Sequence, residues 1–316
     1  MTAEMVCSGA AEASAKQGAE ASRSRMAVGI ATAGRPAILS ETLRELARQK
    51  RLPDVVVVCP VSAQDVESDV LATLPFPCRI VSSAPGLTCQ RNAILRAIED
   101  YDAVVFFDDD FFPAPSYLAN AEAILERDRD VVVMNGQLLD DGIHGLGITP
   151  EAARARIAAA PVPLASGGVR PDYGAYGCNM VIRLAPVRTH KPVFDEALPL
   201  YGWQEDIDFS RQMSRWGRVV RAEALTGVHL GVKRGRTSGV RFGYSQVANP
   251  VFLMRKGTVS LSFGGKTMVK NLLANVARAI RPEAHVDRAG RLKGNILALA
   301  DLLRGRMHPQ RICEIE

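Results

Sequence analysis

The chain has 316 residues, 47% of them hydrophobic and 23% charged, the mix of a globular protein with enough length for a sizeable core. Its 39 basic and 34 acidic residues give a net charge of +5, and residues 255–316 hold 12 of the basic and 5 of the acidic ones, so the body is near neutral and the tail is basic. A basic tail suits an anionic surface, and with no apolar run near ~18–20 residues a membrane-spanning helix is excluded.

Residues 1–25 are rich in Ala, Ser, Gly and charge and lack the apolar core of a secretory signal, so they read as a disordered leader. Met26–Thr32 is a short apolar strand ended by Ala33-Gly34-Arg35-Pro36, and Ala37–Gln49 has helical spacing. Asp54–Pro60 reads as a buried parallel strand, Ala63–Leu74 as a helix and Cys78–Ser82 as a third strand. Leu87–Glu99 is a helix, and Ala103–Phe107 is a fourth strand that runs into Asp108-Asp109-Asp110. Tyr117–Arg127 is a helix and Val131–Asn135 a fifth strand. This alternation predicts an α/β fold, a mostly parallel sheet covered on both faces, with ligands beyond the carboxyl ends of its strands.

Past about Asp140 the rhythm breaks. The spacing predicts helices over Pro150–Ala160, Glu205–Trp216, Tyr244–Arg255, Thr267–Ile280 and Leu292–Arg304. It predicts strands over Tyr176–Leu184, Val219–Ala222 and Thr226–Leu230, and Gly231–Gly243 is a basic, Gly-rich loop. The six cysteines form no CxxC pair and sit in hydrophobic segments, which argues for reduced thiols rather than a zinc cluster.

Two acidic groups carry the chemistry. In an extended chain Asp108 and Asp110 point one way and Asp109 the other. Two carboxylates on one side repel unless a cation lies between them, and Mg²⁺ or Mn²⁺ prefers such ligands. A solvated acidic turn is the alternative, less at home between AVVFF and FFP. The second group, Trp203-Gln204-Glu205-Asp206-Ile207-Asp208, opens a helix. Its acids either complement the helix dipole or supply a general base, and Trp203 offers a flat face to a sugar ring. Gly264-Gly265-Lys266-Thr267 lacks the earlier glycine of a phosphate loop, and no GxGxxG follows the first strand.

Six short motifs in order resemble the inverting nucleotide-sugar glycosyltransferases of family 2, which have the GT-A fold. They are TAGRP (Thr32–Pro36), GLTCQRNAI (Gly86–Ile94), FFDDDFFP, YGCNMVIR (Tyr176–Arg183), WQEDIDFSRQ (Trp203–Gln212) and GVHLG (Gly227–Gly231), and the resemblance spans about Ala27 to Arg255. It implies a catalytic domain over residues 26–255, with a nucleotide-binding half (26–140) and an acceptor half (141–255), followed by a basic helical extension over 256–316. It implies that Asp206 is the base, with Glu205 the first alternative. Asp110 and His229 would hold a divalent cation. Thr32, Arg35, Arg91, Asp108 and Asp109 would meet the nucleotide sugar, and Asn179, Trp203 and Glu205 the acceptor.

The implied reaction moves a sugar from a nucleoside diphosphate donor, of the uridine type, to a hydroxyl of a glycan or lipid-linked glycan in exopolysaccharide or other surface-glycan assembly. The reduced thiols suit the cytoplasm, and no nucleic-acid partner is expected; the basic C-terminal region, with Met268, Leu272, Val276 and Ile280 at helical spacing over Thr267–Ile280, either meets an anionic membrane surface peripherally or packs that stripe on the catalytic domain. One departure touches the base: the second strand ends Cys59-Pro60-Val61-Ser62, where many family members carry an Asp. Gln212–Trp216 spells the QxxRW of processive synthases, but inside the same helix as the acidic pair. A sugar-phosphate nucleotidyltransferase and a non-catalytic glycan-binding protein are the alternatives. The first needs a Gly-rich phosphate loop where TAGRP stands, and the second needs neither base nor metal.

Overall fold

The computed structural model describes residues 23–232, 238–280, 283 and 286–315. Most of the expected leader lies outside them.

The first half follows the predicted rhythm: β1 (Met26–Thr32), α1 (Pro36–Leu46), β2 (Val55–Pro60), α2 (Ser68–Leu71), β3 (Cys78–Ile80), α3 (Leu87–Ala97) and β4 (Ala103–Asp108). Pro36 starts α1, where its fixed φ suits a first helical turn. The helix expected over Ala63–Leu74 is reduced to a 3-10 turn (Ala63–Asp65) and the single turn of α2. The cause is Asp65. Its carboxylate accepts from the backbone N–H of Ser62 (2.9 Å) and of Gly34 (2.7 Å), so it ties the β2 loop to the β1 loop instead of extending a helix.

The second half comprises β5 (Phe111–Pro113), α4 (Tyr117–Arg127), β6 (Val131–Asp141), α5 (Pro150–Ala159), β7 (Val169–Pro171), β8 (Asn179–Arg183), α6 (Leu184–His190), α7 (Glu205–Met213) and β9 (Arg218–His229). One nine-stranded sheet runs β3-β2-β1-β4-β8-β6-β9-β5, with β7 also on β9. The four strands from β3 to β4 are parallel. Beyond β4 the sheet is mixed, because β8 lies antiparallel to both of its neighbours and β5 and β7 are antiparallel to β9. Two predicted strands, Val219–Ala222 and Thr226–Leu230, are one. Beside Gly136 the β6–β9 register shifts, and a Cβ there would lie 2.2 Å from the Leu225 carbonyl oxygen, so a glycine bulge lets β9 continue.

Both faces of the sheet are covered. Along β2, Val56 and Val58 enter one core and Val55, Val57 and Cys59 the other, all fully buried. Each such valine contributes about 1.5–3 kcal/mol. That core fixes where β1 and β4 end, and the site lies at those ends.

α8 (Gly239–Lys256), α9 (Leu261–Ile280) and α10 (Arg288–Leu303) form a helical layer around Tyr244, Val247, Ala248 and Ala298. The layer begins at α8, before the boundary expected at residue 256. A buried amide chain pins it: Asn275 Nδ2 donates to Gln246 and to Asn295 Oδ1, both at 2.8 Å, and Asn295 donates to the Gly243 carbonyl at 2.6 Å. No helix of the described residues is long and apolar enough to cross a membrane. The five described cysteines, Cys59, Cys78, Cys89, Cys178 and Cys313, are free thiols.

Candidate active site

The sheet register assembles the acidic cluster. β4 ends at Asp108, the chain reverses at Asp109-Asp110, and β5 pairs Phe111 with His229. On its other side β9 pairs His229 with Asp141, the last residue of β6. His229 Nε2 therefore lies 3.3 Å from Asp110 and 3.9 Å from Asp108, and its Nδ1 lies 2.9 Å from Asp141 Oδ1. One donor atom each from Asp108, Asp110 and His229 falls within 4.8 Å of the others.

The middle acid is separated as expected, though by the turn after β4 rather than by alternation along the strand. Asp109 is fully buried and turns to the β1 side, where it accepts from Thr32 Oγ1 (2.6 Å) and pairs with Arg35 at 2.6 Å. Burial pushes the Asp109 carboxyl up, to about 7, against the pull of Arg35. Asp110 is buried too, yet hydrogen bonding to His229 holds it down at about 2, and its Oδ2 also accepts from the Val232 N–H at 2.8 Å. Thr32 and Arg35 thus shape the floor beside the acids, with Arg35 also 3.5 Å from Asp110.

This donor set fits a divalent cation. Two carboxylates and an imidazole are O and N ligands suited to Mn²⁺ or Mg²⁺. Burial pulls the His229 imidazolium down, but its bonds to Asp110 and Asp141 outweigh that and hold its pKa near 10. An entering cation would replace that proton, so metal affinity should weaken as pH falls. Sequence reasoning missed Asp141. The signal was VVVMNGQLLDD, an apolar strand running into acids like that of β4. Asp141 holds the imidazole ring, and Tyr176 donates to its Oδ2 at 3.4 Å. Asp141→Asn is expected to lower Mn²⁺ affinity ~10–100-fold, the usual effect of losing such an orienting partner. Titration calorimetry would show it, and unchanged affinity would leave Asp141 a strand-end bystander.

Asp206 stands in the first turn of α7. Its carboxylate accepts from the N–H of Gly177 and of Ile207, both at 2.8 Å, and burial raises its pKa above the ordinary Asp value. It lines a cavity of about 430 Å³ together with Asp141, Tyr176, Tyr201, Trp203 and Phe242. The loop that brings Tyr201 and Trp203 there is strained: Leu200 (φ 58°) and Gln204 (φ 71°) are left-handed without being glycine.

Other expected site residues lie deeper. Arg91 and Glu205 are both buried, and Arg91 bridges Glu205 (2.5 Å), the Gly177 carbonyl (2.8 Å) and Asp108 (3.4 Å). A Cβ at Gly177 would meet the Arg91 guanidinium at 2.9 Å, so a larger residue there would displace the guanidinium from its partners. Glu205 lines the same cavity with a small part of its surface, and its carboxylate is engaged by Arg91. Asn179 is fully buried, and its Oδ1 accepts from the Gly136 N–H at 2.9 Å, which makes it a strut between β8 and β6 rather than an acceptor contact. In the basic loop Lys233, Arg234 and Arg236 lie outside the described residues, and Arg241 donates to the Ile315 carbonyl at 2.6 Å.

No family model matches the sequence, and no curated protein does. Solved structures do match. The 1–349 portion of TarS from S. aureus, in complex with UDP-GlcNAc, superposes with a TM-score of 0.56 at 16% identity, over 92% of this chain and 83% of that one. This chain has the GT-A fold. The mannosyltransferase PcManGT from Pyrobaculum calidifontis, in complex with GDP-Man and Mn²⁺, shares that GT-A architecture with a TM-score of 0.53 at 16% identity, over 92% of this chain and 85% of that one. The chain spans 39% of the longer TarS structure.

Proposed function

We propose that the protein is an inverting glycosyltransferase of family 2. It moves a sugar from a nucleoside diphosphate sugar, of the uridine type, to a hydroxyl of a glycan or lipid-linked glycan in surface-glycan assembly such as exopolysaccharide. One observation carries the reading: Asp206, a carboxylate with a raised pKa, shares one aromatic-walled cavity with Asp141, the residue that holds His229 against Asp108 and Asp110. Support comes from nucleotide-sugar complexes of proteins with the same fold, UDP-GlcNAc in one and GDP-Man with Mn²⁺ in the other. The free thiols suit a reducing, cytoplasmic compartment.

The chemistry assigned to these residues is a single displacement. The acceptor lies against Tyr201, Trp203 and Phe242. Asp206 takes the proton from its hydroxyl as that oxygen attacks the anomeric carbon. The bond from that carbon to the diphosphate oxygen breaks on the opposite face, which inverts the centre. Asp108, Asp110 and His229 would hold Mg²⁺ or Mn²⁺, which when bound offsets charge on the leaving diphosphate. Thr32, Arg35 and Asp109 form the nucleotide end of the cleft. Arg91 keeps Asp108 in place from beneath.

A panel of nucleoside diphosphate sugars with candidate glycan acceptors and Mn²⁺ tests the reading by mass spectrometry. Free nucleoside diphosphate together with a sugar-extended acceptor is the expected result. Pyrophosphate release from a sugar phosphate and a nucleoside triphosphate would instead mark a nucleotidyltransferase. Asp110→Ala should weaken Mn²⁺-dependent donor binding by at least ~10-fold, and a chelator should do the same to the unmodified protein. Full donor affinity in excess chelator would remove the cation from the site.

A further inference from the structure

We propose that the outer face of α9 is a docking surface for an anionic lipid bilayer. The sequence pattern selects Met268, Leu272, Val276 and Ile280 as one apolar stripe, but the structure sets the helix at another rotation. Met268 packs against the core of the helical layer, and Asn275 is fully buried in its amide chain. The stripe left outside is Val269, Leu273, Val276 and Ile280, exposed by 50%, 63%, 44% and 81%. Steps of four, three and four residues put these side chains on one face of the helix.

Charge decides what covers that face. Lys266 and Lys270 run along one flank and, with Gly265, Val269 and Leu273, line a shallow apolar groove. Both are exposed, and neither has an ion-pair partner among the described residues. α9 contains no acidic residue over its 20 positions. An apolar stripe edged by uncompensated lysines is the pattern of a helix lying in the plane of an anionic bilayer, its stripe among the acyl chains and its ammonium groups at the phosphates. A second copy of the chain fits less well, because it would bring the same uncompensated lysines to the contact. The inner side of α9 is already held by α8 and α10, so the helix presents this face preformed.

The test is co-sedimentation of the full chain with vesicles of phosphatidylcholine alone or mixed with phosphatidylglycerol, and it reads docking without catalysis. Binding to the mixed vesicles at low salt, little to phosphatidylcholine, and loss at high salt is the expected pattern. Each lysine contributes about fivefold at such a surface, so Lys266→Gln with Lys270→Gln should lose about 25-fold. Leu273→Asp should lose at least ~10-fold. These positions are exposed, so unchanged melting temperatures should accompany both losses. Absence of binding at low salt, or full binding by both variants, would overturn the proposal. So would a dimer in light scattering that Leu273→Asp abolishes, since that assigns the face to a second copy.

Discussion

Replacing Asp206 with asparagine is expected to slow sugar transfer by ~10²–10⁴-fold while donor affinity stays within about twofold. The side chains are nearly equal in size, and an amide oxygen can still accept the N–H bonds that Gly177 and Ile207 give to Asp206. What is lost is the ability to take a proton. Measured as turnover and as donor binding on the same preparation, the variant should therefore separate chemistry from recognition. The wild-type rate should fall as pH drops through the raised Asp206 pKa, because protonation disables the base. The asparagine variant should lack that limb. Near-normal turnover would move the base elsewhere, and Glu205, engaged with Arg91 at 2.5 Å, would have to leave its partner to serve.

The sheet was legible wherever one strand's own pattern decides its place. β1 and α4 begin and end where hydrophobic spacing puts them, and β4 runs only one residue past its expected end. Legibility failed where a distant contact decides. Asp65 shortened a helix by bonding to Gly34, 31 residues away, and the glycine bulge at Gly136 joined two apparent strands. The site divides the same way. The separation of Asp109 from Asp108 and Asp110 was expected from local alternation, although the turn that ends β4 brings it about. The partnership of His229 with Asp141 needs the register of two strands 88 residues apart in sequence, which no local pattern states. Burial was the hardest property to read: Arg91 sits in a motif that looks like a ligand contact, yet it is buried and pairs with Glu205 at the cleft wall.

That burial makes Arg91→Met the largest expected effect on stability. The guanidinium lies 5.5 Å from the rings of Phe106 and of Phe194 and pairs with the nearly buried Glu205. Methionine fills much of the volume but strands the Glu205 carboxyl and leaves the Gly177 carbonyl without its donor. Breaking a buried pair from one side costs about 3–5 kcal/mol. For a domain of this size that is a fall in melting temperature on the order of 10 °C. Adding Glu205→Leu to Arg91→Met removes the stranded charge, so the double variant should be more stable than Arg91→Met alone, a coupling that a double-mutant cycle measures. Donor affinity separates this role from direct nucleotide contact. If Arg91 is the beam under Asp108, folded Arg91→Met at low temperature keeps most of its donor affinity. If it touches the nucleotide, donor affinity falls as well.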